Sequence, residues 1–193
     1  MADTTALTEA RDEVLRKIGR NLVNFQRMET MLKFLNANQR ISGTVSDLAE
    51  ISARAKKQAS KMPMGHLAEE FVRSVYSSQE TAEQYDSDKA SVTFSFRIEA
   101  DAALVAERKK ALRAVVRERN KLVHQWLSEF DPNSRESCQE FGAALDEQNA
   151  GVLPEFEILR AIIRRLRESQ REVMRFLMSE DFLAELTKGT ADG

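Results

Sequence analysis

Three long segments of this chain repeat apolar residues every three or four positions, which restricts it to a mainly helical fold. Each segment presents one apolar face that must be buried against another element. Over residues 8–35, with Thr8 as the predicted N-cap, the apolar side comprises Val14, Leu15, Ile18, Leu22, Phe25 and Leu32. A second long helix is predicted over residues 101–126. A third begins at Pro154 and extends to about residue 177.

Shorter helices are predicted between the long ones. Leu48, Ile51, Ala55 and Ala59 share one side of a helix capped by Thr44 or Ser46. Further helices are predicted over about 66–79 and 137–145, and residues 36–43 are predicted to form a loop. The predicted fold class is therefore all-α: an up-and-down helical bundle with three long helices and two or three short ones.

One segment departs from the helical pattern. Residues 91–98 alternate apolar and polar side chains, the period of a half-buried strand. Because a lone strand needs a partner, we expect either a small hairpin with residues near Tyr85 or pairing across a dimer. The prediction is one domain over 1–193 with a strand-like excursion at about 85–99.

Composition restricts the class of protein further. The apolar share is 42% and the charged share 31%, which are typical of a folded globular protein. No apolar run approaches the roughly 18 residues that cross a bilayer, and the N-terminus has no secretory pattern, so no membrane partner is predicted. Cys138 is the only cysteine, which excludes an intrachain disulfide and a thiolate zinc cage. A cytoplasmic location is the prediction.

The net charge of −2 conceals two basic clusters. The helix over 101–126 has seven basic residues from Arg108 to Lys121 against one acid, Glu118. The predicted RNA-binding residues in it are Arg108, Lys109, Arg113, Arg117 and Lys121. In the last helix, the segment from Arg160 to Arg171 has five arginines, Arg160, Arg164, Arg165, Arg167 and Arg171, against one acid, Glu168. They either line a groove for RNA phosphates or keep the outer face of that helix soluble, and the second interpretation is slightly favoured.

Arg119 occupies an unexpected position. On a wheel of about 100° per residue it lies within about 60° of Leu112, Val115, Leu122 and Trp126, in the middle of the apolar side. A buried guanidinium needs a carboxylate, and Glu29 lies in the centre of the apolar side of the first helix. We therefore hypothesise a Glu29–Arg119 ion pair. Gln170, in the apolar side of the last helix, either fixes the register between helices or lies near a helix end.

His124 faces away from that apolar side, about 140° from Arg119 and about 40° from Asn120. Asn120 and His124 are neighbours at i and i+4. A histidine exchanges protons near neutral pH, so the group suits acid–base chemistry on a phosphate ester. The simpler interpretation is a surface histidine beside a capping asparagine, and both stay open at this point.

The stretch Arg119-Asn120-Lys121-Leu122-Val123-His124 resembles the R-x4-H motif of the HEPN superfamily, including the polar residue after the arginine. The basic helix that precedes it and the all-α pattern also resemble that family. The resemblance implies a metal-independent endoribonuclease that forms a homodimer, of the kind that acts as a toxin or defence effector with RNA as substrate and, in some cases, an antitoxin as partner.

The resemblance also implies roles for three residues. His124 would be the general acid or base, Arg119 would stabilise the phosphorane charge, and Asn120 would position the phosphate or the histidine. Some toxins of the family have a tyrosine two residues after the histidine, the site of their adenylylation, where this chain has Trp126. The alternative function is a non-catalytic helical module that binds nucleic acid or a protein partner.

No cofactor or metal is predicted. The chain has no glycine-rich phosphate loop and no zinc spacing. A ferritin-like carboxylate site would need Glu-x-x-His, which is absent here.

Overall fold

The computed structural model describes residues 2–44, 46–76, 91–180 and 182. In chain order the elements are α1 (Ala2–Asn38), β1 (Arg40–Thr44), α2 (Leu48–Lys61), α3 (Met64–Val75), β2 (Ser91–Ser95), α4 (Ala102–Lys121), a π-helical turn (Leu122–Trp126), α5 (Leu127–Glu129) and α6 (Arg135–Leu177). Three long helices, two short ones of three or four turns and a small sheet confirm the predicted all-α bundle.

The helices α1 and α6 lie side by side and run in the same direction. In the first half of both, Lys17 Nζ donates a hydrogen bond to Asp146 Oδ2 at 2.6 Å. Near the end of both, Gln170 Nε2 donates to the carbonyl of Asn38 at 3.2 Å. Gln170 is half-buried, and its hydrogen-bond partner is the carbonyl at the end of α1. This agrees with one of the two roles predicted for it, a position near a helix end.

The helix α4 runs antiparallel to α6. Its early residue Arg108 contacts Glu155, whereas its late residue Glu118 accepts a hydrogen bond from Gln148, which precedes Glu155 in α6. The order is thus up, down and up for α1, α4 and α6. Asp101 caps α4, since its side chain accepts a hydrogen bond from the Leu104 N–H at 2.7 Å.

The first helix begins earlier than predicted. The Thr8 hydroxyl donates to the carbonyl of Thr4, so Thr8 lies inside α1 and is not its N-cap. Leu15, predicted in the apolar side, is 52% exposed. The buried side of α1 is centred on Asn21, which bonds to α6, and its apolar members are Val14, Ile18, Phe25, Met28, Leu32 and Leu35.

The predicted loop over 36–43 is wrong, because Arg40–Thr44 is a strand. It pairs antiparallel with Ser91–Ser95, which is shorter than the predicted strand over 91–98, and Ser42 is opposite Thr93. The strand therefore has its partner within the chain, far away in sequence. Tyr85, the partner region predicted from sequence, lies outside the described residues.

The C-terminal helix is longer than predicted. Residues 137–145 and the segment that begins at Pro154 are parts of one helix, Arg135–Leu177, with Pro154 in its interior. Proline lacks an N–H group and disfavours a helix interior, which is why the sequence suggested a boundary. Here Pro154 and Ala150 are both exposed, so the carbonyl that loses its helical donor faces solvent and can bond to water.

Replacement of Pro154 by alanine restores an N–H that can donate to the Ala150 carbonyl. We expect Pro154→Ala to raise the free energy of unfolding by up to about 3 kcal/mol in urea unfolding followed by circular dichroism. The neighbouring exposed residue provides a control, and Leu153→Ala should change stability by less than about 0.5 kcal/mol. A less stable Pro154→Ala protein would instead show that packing of α6 requires the proline.

Candidate functional site

Four cations form a row along the outer face of α4. Lys109, Arg113, Arg117 and Lys121 recur every fourth residue and are all exposed. Arg113 is the one with a carboxylate partner among the described residues, since its Nη2 donates to Glu69 Oε1 at 2.7 Å. Arg113 lowers the pKa of the Glu69 carboxyl, first by that hydrogen bond and then by its charge. The structure therefore brings four of the five predicted RNA-binding residues together.

The fifth, Arg108, lies elsewhere. It is on the opposite side of α4, its side chain is 13% exposed, and its Nη1 donates to both carboxylate oxygens of Glu155 at 3.1 and 3.3 Å. The structure therefore does not bring Arg108 into the row, because a single step of about 100° moves it away from Lys109 and into the bundle.

Arg108, Glu155 and Tyr76 form a buried polar cluster between α3, α4 and α6. Burial raises the pKa of the Glu155 carboxyl against the opposing effect of the Arg108 charge. Burial also raises the pKa of the Tyr76 phenol. The Nε atom of Arg108 finds no acceptor within the described part of the chain. An ion pair of this kind adds little net stability when intact but is costly to break.

Removal of one partner from this ion pair should destabilise the fold far more than removal of both. We expect Arg108→Met to lower the free energy of unfolding by about 3–5 kcal/mol, and Arg108→Met with Glu155→Leu to recover most of that loss. Urea unfolding of the two single variants and the double variant completes the cycle. If the double variant is as unstable as Arg108→Met, the pair does not act as a unit.

The same variant has a predicted pH dependence. Without Arg108, burial and then the charge of Glu107 both raise the pKa of Glu155 with nothing from Arg108 to oppose them, so this pKa in the folded protein lies further above the value of 4.5 in the unfolded chain. The folded state then binds the proton more tightly, and stability falls as the pH rises through that interval. The deficit of Arg108→Met relative to the wild type should therefore be smallest at acid pH and grow towards neutrality.

The helix predicted over 101–126 does not remain a regular α-helix to its end. Regular α-helix stops at Lys121, and residues Leu122–Trp126 form a π-helical turn in which the Leu127 N–H is directed at the Leu122 carbonyl. π-Turns inside α-helices occur often at functional sites. This one contains His124, the last residue of the R-x4-H motif.

Aromatic packing surrounds the π-helical turn. Trp126 contacts Phe141 of α6 edge to face, with centroids 5.9 Å apart, and Phe130 stacks on the same ring at 4.9 Å. Lys121 Nζ lies 4.4 Å from the Trp126 ring centroid, a cation–π contact. Leu122 is completely buried. These contacts fix the turn on α6 and leave His124 on its outer side.

His124 and Asn120 are both exposed, as the wheel predicted. Arg119 is half-buried, and its Nη1 donates to Asn120 Oδ1 at 3.0 Å. Among the described residues the structure gives His124 no hydrogen-bond or ion-pair partner. The motif therefore places Asn120 and Arg119 in contact with each other, and neither is bonded to His124.

The hypothesised Glu29–Arg119 ion pair does not form. The two side chains line one cavity of about 300 Å³ between α1 and α4, together with Leu22, Val23, Phe25, Gln26 and Val123. Glu29 Oε1 accepts a hydrogen bond from Lys33 Nζ at 2.6 Å, one turn along α1, and Arg119 turns to Asn120. The wheel thus predicted the facing helices correctly but not the partners, because a local lysine at i+4 satisfies the carboxylate first.

A network of buried amide side chains contacts the residue that precedes the motif. Gln148 Nε2 donates to the Glu118 carbonyl at 3.0 Å and to Glu118 Oε2 at 3.1 Å. Gln148 Oε1 accepts from Asn21 Nδ2 at 3.1 Å, and Asn21 also donates to the Leu145 carbonyl at 2.8 Å. The network joins α1, α6 and the residue that precedes Arg119.

The apolar sides predicted from the sequence do not include this network, although the sequence carries a signal for it. Asn21 lies at helical spacing between Ile18 and Phe25, and Gln148 lies between Leu145 and Val152. Both amides therefore fall in the buried side of their helices, where a polar side chain must find a partner. The sequence does not say which partner.

No group of three or more His, Cys, Asp or Glu side chains suited to a metal ion occurs in the described residues. Likewise, none of the helices there has the length and apolar character needed to span a bilayer. No protein-family model, curated protein or solved structure matches this chain.

Proposed function

We propose that this protein is a metal-independent endoribonuclease of HEPN type, with His124 as its proton-transferring residue. The observation that carries the proposal is the position of His124. It is exposed in a π-helical turn, at the end of the row of four exposed cations along α4. Cations in a row attract the RNA backbone, and an unengaged imidazole is available for proton transfer. A role as a toxin or defence effector in the cytoplasm is part of the same proposal.

The chemistry follows from these groups. His124 takes the proton of a ribose 2′-hydroxyl, and the oxygen attacks the adjacent phosphorus in line with the 5′-oxygen of the next nucleotide. The bond to that 5′-oxygen breaks, and the leaving oxygen receives a proton from a general acid. The products are a 2′,3′-cyclic phosphate and a 5′-hydroxyl, and the reaction requires no metal ion. Charge that develops on the phosphorane attracts Arg119 and is stabilised by it.

A homodimer would supply the second acid–base group. Two apolar side chains of α1 are exposed, Leu15 (52%) and Val23 (48%), and Val23 lines the Arg119 cavity. Exposed apolar surface of this kind marks protein interfaces. A second copy on this surface would bring its own His124 and Arg119 towards the first, so that one histidine acts as base and the other as acid.

The direct test is cleavage of a fluorescent single-stranded RNA in EDTA. We expect the wild type to cleave it, and His124→Ala to lower the rate by about 10²–10⁴-fold, the usual contribution of a general acid–base group. His66→Ala, at the other exposed histidine, should retain the wild-type rate. A substrate with 2′-O-methyl groups should stay intact, and the new 5′-fragment should carry a cyclic phosphate.

The alternative function is a non-catalytic module that binds nucleic acid or a protein through the same basic face. The engagement of Arg119 by Asn120, away from His124, favours it. Intact RNA at high concentrations of the wild-type protein, or equal rates for wild type and His124→Ala, would leave this alternative as the function.

A further inference from the structure

A second row of cations lies on the last helix, on a different surface from His124. Arg160, Arg164, Arg167 and Arg171 line a cleft of about 540 Å³ beside Met31 of α1, together with Ile163 and Glu168. On a helical wheel these four arginines fall within about 60° of one another, and they span about 16 Å of helix. The Arg119 cavity is lined by different residues of α1, namely Leu22, Val23, Phe25, Gln26 and Glu29.

The charges of this arginine row are poorly balanced by the chain itself. Arg160 pairs with Glu157 at 2.9 Å, and Glu168 is turned to Arg165 at 3.9 Å. Arg164 and Arg171 contact no carboxylate in the part of the chain that the structure describes. The i+4 neighbours repeat the charge, Arg164 after Arg160 and Arg171 after Arg167. Like charges at that spacing destabilise a helix, so a bound polyanion would relieve the repulsion.

Two of the arginines are held against aromatic rings. The guanidinium of Arg167 lies 5.0 Å from the ring centroid of Phe34, and that of Arg160 lies 5.9 Å from the centroid of Phe156. A guanidinium that stacks on a ring keeps its N–H donors directed outward in its own plane. Arg167 is therefore suited to bidentate bonds with phosphate oxygens, whereas Arg160 also donates to both carboxylate oxygens of Glu157.

From these features we infer that the α1–α6 cleft binds the phosphodiester backbone of a single-stranded nucleic acid. Four arginines whose backbone positions rise by about 4.5–6 Å from one to the next along one helix present a single line of positive charge to the regular negative charges of one strand. The remaining lining residues are Met31, Ile163 and Glu168, so the positive charge of the cleft comes from the arginine row. Binding here requires no cleavage at His124, so the site also fits a protein that only binds nucleic acid.

The test measures binding rather than cleavage. Fluorescence anisotropy with a labelled uridine oligonucleotide and a matched DNA oligonucleotide, on protein that carries His124→Ala, keeps the probe intact. In that background we expect Arg164→Gln with Arg171→Gln to weaken binding at least about tenfold. The slope of log affinity against log salt should become shallower by about 1.4, since each lost contact to a single strand contributes about 0.7.

The matched control removes the same charge from the same helix. Arg135→Gln with Arg165→Gln replaces an exposed arginine at the start of α6 and one off the row, and it should bind as the parent does. Equal thermal stability of both double variants shows that the folds are intact. Loss of RNA binding with retained DNA binding, or the reverse, identifies which nucleic acid the cleft takes.

Three results would overturn the inference: no binding by the parent protein, equal weakening by the control, or equally tight binding of a polyglutamate of matched charge, which would indicate an acidic protein ligand. Cleavage is measured separately on protein with His124 intact. An inactive nuclease that still binds through Arg164 and Arg171 therefore leaves this inference standing while the proposed function fails.

Discussion

The amide of Gln148 is the interaction on which the arrangement around the motif depends. It is 5% exposed, and it donates to Glu118 on α4 while accepting from Asn21 on α1. An apolar contact would allow neighbouring helices to slide or rotate by part of a turn, whereas these hydrogen bonds have fixed partners and directions. Because Glu118 directly precedes Arg119, the network fixes the rotation of α4 about its axis and so the direction in which the motif faces.

Whether a basic side chain of this bundle is paired or exposed depends on its burial as much as on its place in the sequence. Arg108 and Lys109 are adjacent in a basic run, yet one is bonded to a buried carboxylate and the other is exposed. Lys17 and Arg20 are also paired, since both donate hydrogen bonds to Asp146 and so keep the pKa of that carboxyl below its usual value. A count of basic residues therefore overstates the surface available to a polyanion, and the pattern at every fourth residue defines it better.

The sequence predicted the parts of the fold that follow from periodicity, namely the number of long helices, their apolar sides and the outward direction of Asn120 and His124. It failed where tertiary contacts decide the outcome. Pro154 indicated a helix boundary by its local chemistry, but packing against α1 and α4 continues the helix through it. The strand Arg40–Thr44 has no alternation of its own and forms because Ser91–Ser95 lies beside it. Likewise, a wheel gives the face of Arg119 but cannot show that Lys33 satisfies Glu29 first.

Arg119 has few acceptors for its donors in the part of the chain that the structure describes. A guanidinium offers five N–H donors, and here one is engaged by the neutral oxygen of Asn120 while the carboxylate across the cavity is held by Lys33. A half-buried cation with so few acceptors raises the local potential and attracts a negatively charged group. His124 is exposed in the next turn, and the structure gives no hydrogen bond between it and Arg119. For the proposed chemistry, the simplest geometry takes the histidine from one subunit and the arginine from the other, which makes dimer formation part of catalysis rather than an addition to it.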